Sequence, residues 1–144
     1  MDTSIMGRVT TKARIVNLED LWAVKHGQLE ESKIRQIEID DALVDTGATT
    51  LALPTTVIEQ LGLVKRYDKA VTTSKGKATT SVFEPVRLTI QGRDCTVDVM
   101  EVPDGVPALV GQIPLEMMDL VVDLQARKLI GNPAHGGEHV LELY

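Results

Sequence analysis

The chain has 144 residues, 43% of them hydrophobic and 25% charged. That length suits one domain, 1–144, with a core of its own, since a chain this long buries about 68–70% of its unfolded surface, and it leaves too little for two. Twenty-one acidic against fifteen basic residues give a formal charge of −6, which argues against nucleic acid and anionic membrane as partners.

One Trp, two Tyr and one Phe offer little for stacking on bases or sugars, so core and pockets must be mostly aliphatic. Cys95 is the single cysteine and has no partner for an internal disulfide, which points to a reducing, cytoplasmic setting. Residues 1–20 are charged throughout without an apolar signal core, and no stretch reaches the ~18 apolar residues of a membrane span.

In chain order the pattern is mainly β. Residues 8–17 mix β-branched and charged side chains as a half-exposed strand does, and residues 30–35 read as a turn of helix or a loop. Residues 37–45 (IEIDDALVD) alternate and then become apolar at Ala42, Leu43 and Val44, the mark of a strand entering a core. Alternation sends Asp40 and Asp41 to opposite faces and to solvent. After Pro54, residues 55–61 carry a Thr as cap candidate, apolar Val57, Ile58 and Leu61, and a stop at Gly62, which predicts a short helix.

Residues 71–83 are rich in Thr around Lys75-Gly76-Lys77 and predict a polar hairpin turning at Gly76. Residues 86–90 and 95–102 predict a second hairpin, followed by a turn at Pro103-Asp104-Gly105. Ala108-Leu109-Val110 is a short apolar run stopped by Gly111, and Pro114 opens a second short helix over 114–120. Residues 121–124 and 128–130 predict a last hairpin. The tail, 134–144, finishes on Val140, Leu141 and Leu143.

The chemistry concentrates in Ala42-Leu43-Val44-Asp45-Thr46-Gly47-Ala48-Thr49. An apolar strand delivers one carboxylate, Asp45, to a fixed place; Gly47 lets another backbone come close, and the Thr46 hydroxyl can lock the turn. Leu109-Val110-Gly111 follows, its glycine 64 residues after Gly47. With these motifs the chain resembles the retropepsin-like aspartic proteases, single-lobe relatives of pepsin, and most closely their short bacterial and archaeal members, over residues 7–133.

The resemblance implies an acid-protease fold, a closed or pseudo-barrel single lobe with one or two short helices. It implies Asp45 as the catalytic aspartate, Thr46 as the residue bonding across a dimer axis, and Gly47 and Ala48 against substrate backbone. Ser74, Lys75, Gly76 and Lys77 fall at the tip of a flap, Pro107 and Leu109 in pocket walls, and Gly111 beneath the catalytic turn. Retroviral members often carry an acidic residue where this chain has Thr49 and an arginine where it has Gln112; here both are neutral and can hydrogen-bond.

Peptide hydrolysis in such proteins uses two facing carboxylates that share a proton. One Asp-Thr-Gly per chain therefore implies a C2 homodimer acting on polypeptide, without metal or organic cofactor, and the tail is a candidate strand at its interface. A non-catalytic peptide-binding module of the same fold is the competing expectation. His135-Gly136-Gly137-Glu138-His139 has the spacing of some zinc peptidases, but paired glycines and Pro133 oppose the helix that a metal site would need.

Overall fold

Nine strands and three short α-helices organise residues 8–143, which the computed structural model describes; what the sequence predicts for residues 1–7 and Tyr144 lies outside them. In order these are β1 (Val9–Asn17), α1 (Leu18–Lys25), β2 (Gln36–Val44), β3 (Leu51–Pro54), α2 (Thr55–Gln60), β4 (Lys65–Thr73), β5 (Gly76–Ile90), β6 (Arg93–Val102), β7 (Leu109–Val110), α3 (Gln112–Met117), β8 (Leu120–Asp123) and β9 (Lys128–Gly131). Seven strands form one sheet in the order β1-β2-β7-β3-β6-β5-β4, and β1 also pairs with β5. The sheet therefore closes on itself as an irregular ring of six, with β4 attached outside through β5. This mainly β, single-lobe architecture is the acid-protease arrangement that the motifs predict.

The ring encloses the aliphatic core anticipated from composition. Ile15, Leu51, Leu53, Leu61, Leu88 and Val99 are fully buried within it. Closing the sheet leaves β4 as the outer strand, and its Lys65, Arg66, Asp68 and Lys69 are exposed, as suits an edge that should not pair with another chain.

Several local features depart from the pattern in the sequence, each for a physical reason. Asp40 and Asp41 both face solvent because the β1–β2 register shifts between Thr11 and Ala13, placing a bulge opposite Lys12. β5 runs unbroken through Pro85, since its register with β6 shifts between Phe83 and Val86, where proline's missing N–H costs no ladder bond.

α1 is an element that the sequence reading did not place. Asn17 caps it by accepting from the Asp20 N–H (3.0 Å), Glu19 and Asp20 occupy its first turn and Lys25 its last. Buried Asp20 then holds Arg35 through its backbone N–H, Nε and Nη2, each at 2.9 Å, and Asn17 donates to the Leu61 carbonyl (2.8 Å). The segment between β1 and β2 is thereby fastened to the ring. No helix among the described residues is long and apolar enough to cross a membrane.

Candidate active site

Strand order places the site. β2 enters the turn after Val44 and β3 leaves it at Leu51, yet these two strands are not neighbours: β7 lies between them, parallel to β2 (Leu43 opposite Leu109, Val44 opposite Val110) and antiparallel to β3. Ladder bonds from Leu43 N–H to the Ala108 carbonyl (2.8 Å) and from Asp45 N–H to the Val110 carbonyl (3.0 Å) carry the pairing up to Asp45 itself.

The turn is closed from within. Ala48 N–H donates to the Asp45 carbonyl (3.0 Å), and Gly47 N–H donates to the Asp45 carboxylate Oδ1 (2.9 Å). The Thr46 hydroxyl, expected to lock the turn, is exposed at its apex, and the aspartate does that work itself.

Beneath, the residues following β7 grip the far half of the turn. Gly111 N–H donates to the Thr50 carbonyl, Gln112 N–H to that of Ala48 and Ile113 N–H to that of Thr49, each at 2.9 Å. A Cβ on Gly111 would lie 2.5 Å from the Thr50 oxygen and 2.6 Å from the Ala48 oxygen. Only glycine admits this approach, so the turn and Leu109-Val110-Gly111 are one structural unit despite their separation in sequence. Gln112 extends its side chain to Glu116 (3.0 Å), and Thr49 meets it only through the backbone of the following residue.

The other predicted site residues sit as follows. Ala48 is half-buried in the turn, Leu109 is half-buried beside β2, and Pro107 is exposed at the mouth of β7. The hairpin of β4 and β5 turns on Ser74 and Lys75, one step earlier than the sequence predicts. Gly76 opens the returning strand with φ 108°, a left-handed conformation suited to glycine. Thr73 fastens this tip, its Oγ1 donating to the Gly76 carbonyl (3.0 Å) and accepting from Lys75 N–H (3.1 Å). The structure thus joins Asp45, Thr46, Gly47 and Ala48 with Leu109 and Gly111, while Lys75, Gly76 and Lys77 are engaged within the hairpin whose tip carries Ser74.

Next to the turn lies an open cleft of about 420 Å³ that sequence reasoning missed. Thr49 and Thr50 of the turn line it, with Lys69 from β4, Met100 from β6, and Ile113 and Met117 from α3. Its one local signal is the exposure of Ile113 and Met117, apolar residues four apart on a helix.

Other reactive groups are engaged elsewhere. Burial pushes the Cys95 thiol up to about 11, away from nucleophilic use. Pro133 to His135 form a 3₁₀ turn that ends at Gly136 in the left-handed region (φ 66°). His135 Nδ1 meets the buried Asp119 carboxylate at 2.6 Å, and His139 Nε2 donates to the Met117 carbonyl (3.1 Å). Among the described residues no group of three His, Cys, Asp or Glu is placed to hold a metal ion.

Asp119, in a left-handed turn (φ 55°), also accepts from Asn132 Nδ2 and Val140 N–H, each at 3.1 Å. It binds the tail back onto its own chain, and residues 140–143 form no strand there. Residues 25–118, about two-thirds of the chain, match the family model described as aspartyl protease. No curated protein matches the chain.

Proposed function

The chain belongs to the retropepsin-like aspartyl protease family, and from that premise we propose that it is an aspartic endopeptidase whose catalytic pair is Asp45 from each of two copies. The observation that carries this reading is the pinned turn: a buried strand ends at Asp45, whose carboxylate Oδ1 is oriented by Gly47 N–H, above a glycine that no larger residue could replace without contact.

A single carboxylate cannot act as general base and general acid in the same step. Two of them facing across a two-fold axis repel each other's charge and so hold one proton between them. The ionised one takes a proton from water as the water attacks the scissile carbonyl; the protonated one donates to the carbonyl oxygen, giving a tetrahedral intermediate without a covalent bond to the enzyme. Proton return to the departing nitrogen completes the cleavage. No metal or organic cofactor enters this scheme.

In this reading Thr46, exposed beside Asp45, bonds its counterpart in the second copy, and Gly47 and Ala48 meet substrate backbone. Ser74, Lys75, Gly76 and Lys77 cap the bound chain as a flap, while Pro107 and Leu109 border a side-chain pocket. An extended substrate adds as a strand, oriented by main-chain hydrogen bonds. The exposed Val140, Leu141 and Leu143 offer apolar surface to the second copy. A reducing, cytoplasmic location agrees with the unpaired Cys95.

Asp45→Asn tests the assignment, because the amide oxygen still accepts from Gly47 N–H and the turn keeps its shape. Cleavage of an unstructured protein should fall by roughly 10²–10⁴-fold, the usual contribution of a positioned acid–base group. Unchanged cleavage by the pure variant would falsify the proposal, and a strictly monomeric protein in sedimentation, at concentrations where the wild type cleaves, would remove the shared pair.

A further inference from the structure

Charge is distributed unevenly over this acidic chain. Residues 65–83, the hairpin of β4 and the first half of β5, carry Lys65, Arg66, Lys69, Lys75 and Lys77 against a single carboxylate, Asp68; the remainder holds twenty acidic and ten basic residues. Local ion pairs account for only part of the hairpin's charge. Lys65 pairs with Asp68 (2.7 Å) and Arg66 with Asp98 (3.2 Å). No ion pair among the described residues involves Lys69, Lys75 or Lys77.

Lys69 also lines the cleft beside the Asp45 turn, whose apolar lining includes Tyr67, Pro85, Met100, Ile113 and Met117. The one carboxylate in that lining, Asp98, is the partner of Arg66. Ile113 and Met117 remain 47% and 45% exposed, so an apolar side chain entering the cleft would cover surface that none of the described residues covers.

From this juxtaposition we infer that the substrate is an acidic polypeptide segment, with a large aliphatic side chain seated in this cleft and flanking carboxylates facing Lys69, Lys75 and Lys77. The inference rests on the proteolytic reading only in taking the Asp45 turn as the place where the polypeptide lies. An acidic segment is repelled over most of the molecule and meets a net positive field at this hairpin, which steers it to the cleft. From Lys69 to Lys75 the strand covers about 20 Å, so the acidic positions span roughly six residues of an extended chain.

The test uses two fluorescein-labelled twelve-residue peptides with a central Leu, one flanked by four Glu and its twin by four Lys. Binding is read on Asp45→Asn, so that cleavage does not intervene. The Glu peptide should bind roughly tenfold more tightly at low salt, as a few exposed charge pairs allow, and the preference should shrink in about 0.5 M salt. Lys69→Gln/Lys75→Gln/Lys77→Gln should abolish the preference, with circular dichroism confirming the fold. Ala for the central Leu should cost roughly tenfold, the lower range for a buried aliphatic side chain.

Equal binding of the twins, a preference that survives the triple variant, indifference to Leu or Ala, or no binding of either peptide would each overturn the inference. Cleavage by the wild type separates it from the parent proposal. Selective binding without cleavage of any peptide retains the acidic recognition and removes the protease; equal cleavage of both twins does the reverse.

Discussion

Gly111→Ala adds one methyl group at the point where the whole site is clamped. The backbone there, φ −90° and ψ −172°, is open to any L-residue, so the substitution introduces no dihedral strain. Its cost is contact alone. The new Cβ would sit 2.5 Å from the Thr50 oxygen, 2.6 Å from the Ala48 oxygen and 2.8 Å from the Ala48 carbonyl carbon, and every one of these is backbone that cannot swing aside.

Relief requires the turn to lift from β7, stretching the 2.9 Å bonds that Thr50 and Ala48 accept from Gly111 and Gln112. Overpacking a filled interior costs about 1–3 kcal/mol, and weakening two hydrogen bonds adds about 0.5–1.5 kcal/mol each. Together these reach roughly 2–6 kcal/mol, a large share of the about 5–15 kcal/mol that holds a typical domain folded. Urea unfolding monitored by circular dichroism should show that loss, and kcat should fall in the fraction still folded because Asp45 moves with its turn. A variant within about 0.5 kcal/mol of wild type, with unaltered cleavage, would refute the claim that the turn and Gly111 form one unit.

Asn17→Ala should cost roughly 2–3 kcal/mol in the same unfolding assay, since it removes the cap of α1 and leaves the buried Leu61 carbonyl without its donor; a change under about 0.5 kcal/mol would mean that α1 is not anchored this way. The tail should be held most firmly between about pH 4 and 6.5. Burial pushes the Asp119 carboxyl up, but bonds from His135, Val140 and Asn132 outweigh it and hold it down at about 2, so its contribution fades as pH falls from the ordinary 3.8 toward that value. His135 is raised above 6.5 by Asp119 and then by Glu142, so its contribution is complete below 6.5 and is lost as pH rises through the raised value. The hydrogen-exchange protection factor of the Val140 N–H, bonded to Asp119, should follow this window, and flat protection from pH 3 to 9 would reject the anchor.

Local pattern was enough to find what local chemistry makes. Asp45 sits in an eight-residue motif and Gly76 marks a hairpin, so each could be read from its neighbours; a short helix was legible at Pro114 too, but it runs over Gln112–Met117 and not 114–120, because Gly111 caps it and Leu120 already belongs to β8. The signals for α1 are also local, Asn17 followed by Glu19 and Asp20 and a closing Lys25, but they adjoin a strand without a spacer, and the cap residue is itself the last residue of that strand. What no neighbourhood discloses is convergence. The necessity of glycine at 111 depends on two carbonyls more than sixty residues earlier, and Pro85 lies within a continuous strand only because a bulge against β6 receives it.

The cleft is the furthest case, assembled from the turn, the outer strand, the middle of the sheet and a helix. Lys69, Met100 and Met117 share no motif, and a run such as Lys75-Gly76-Lys77, taken alone, is fully explained as a solvated tip. Its charge gains meaning only when Lys69, on the same hairpin and without an ion-pair partner among the described residues, lines a cleft that Thr49 and Thr50 also line. On the proposed reading, selectivity rests on contacts between distant segments and the chemistry on one short turn, so substitutions in the cleft should alter which polypeptide is taken without altering how it is cut.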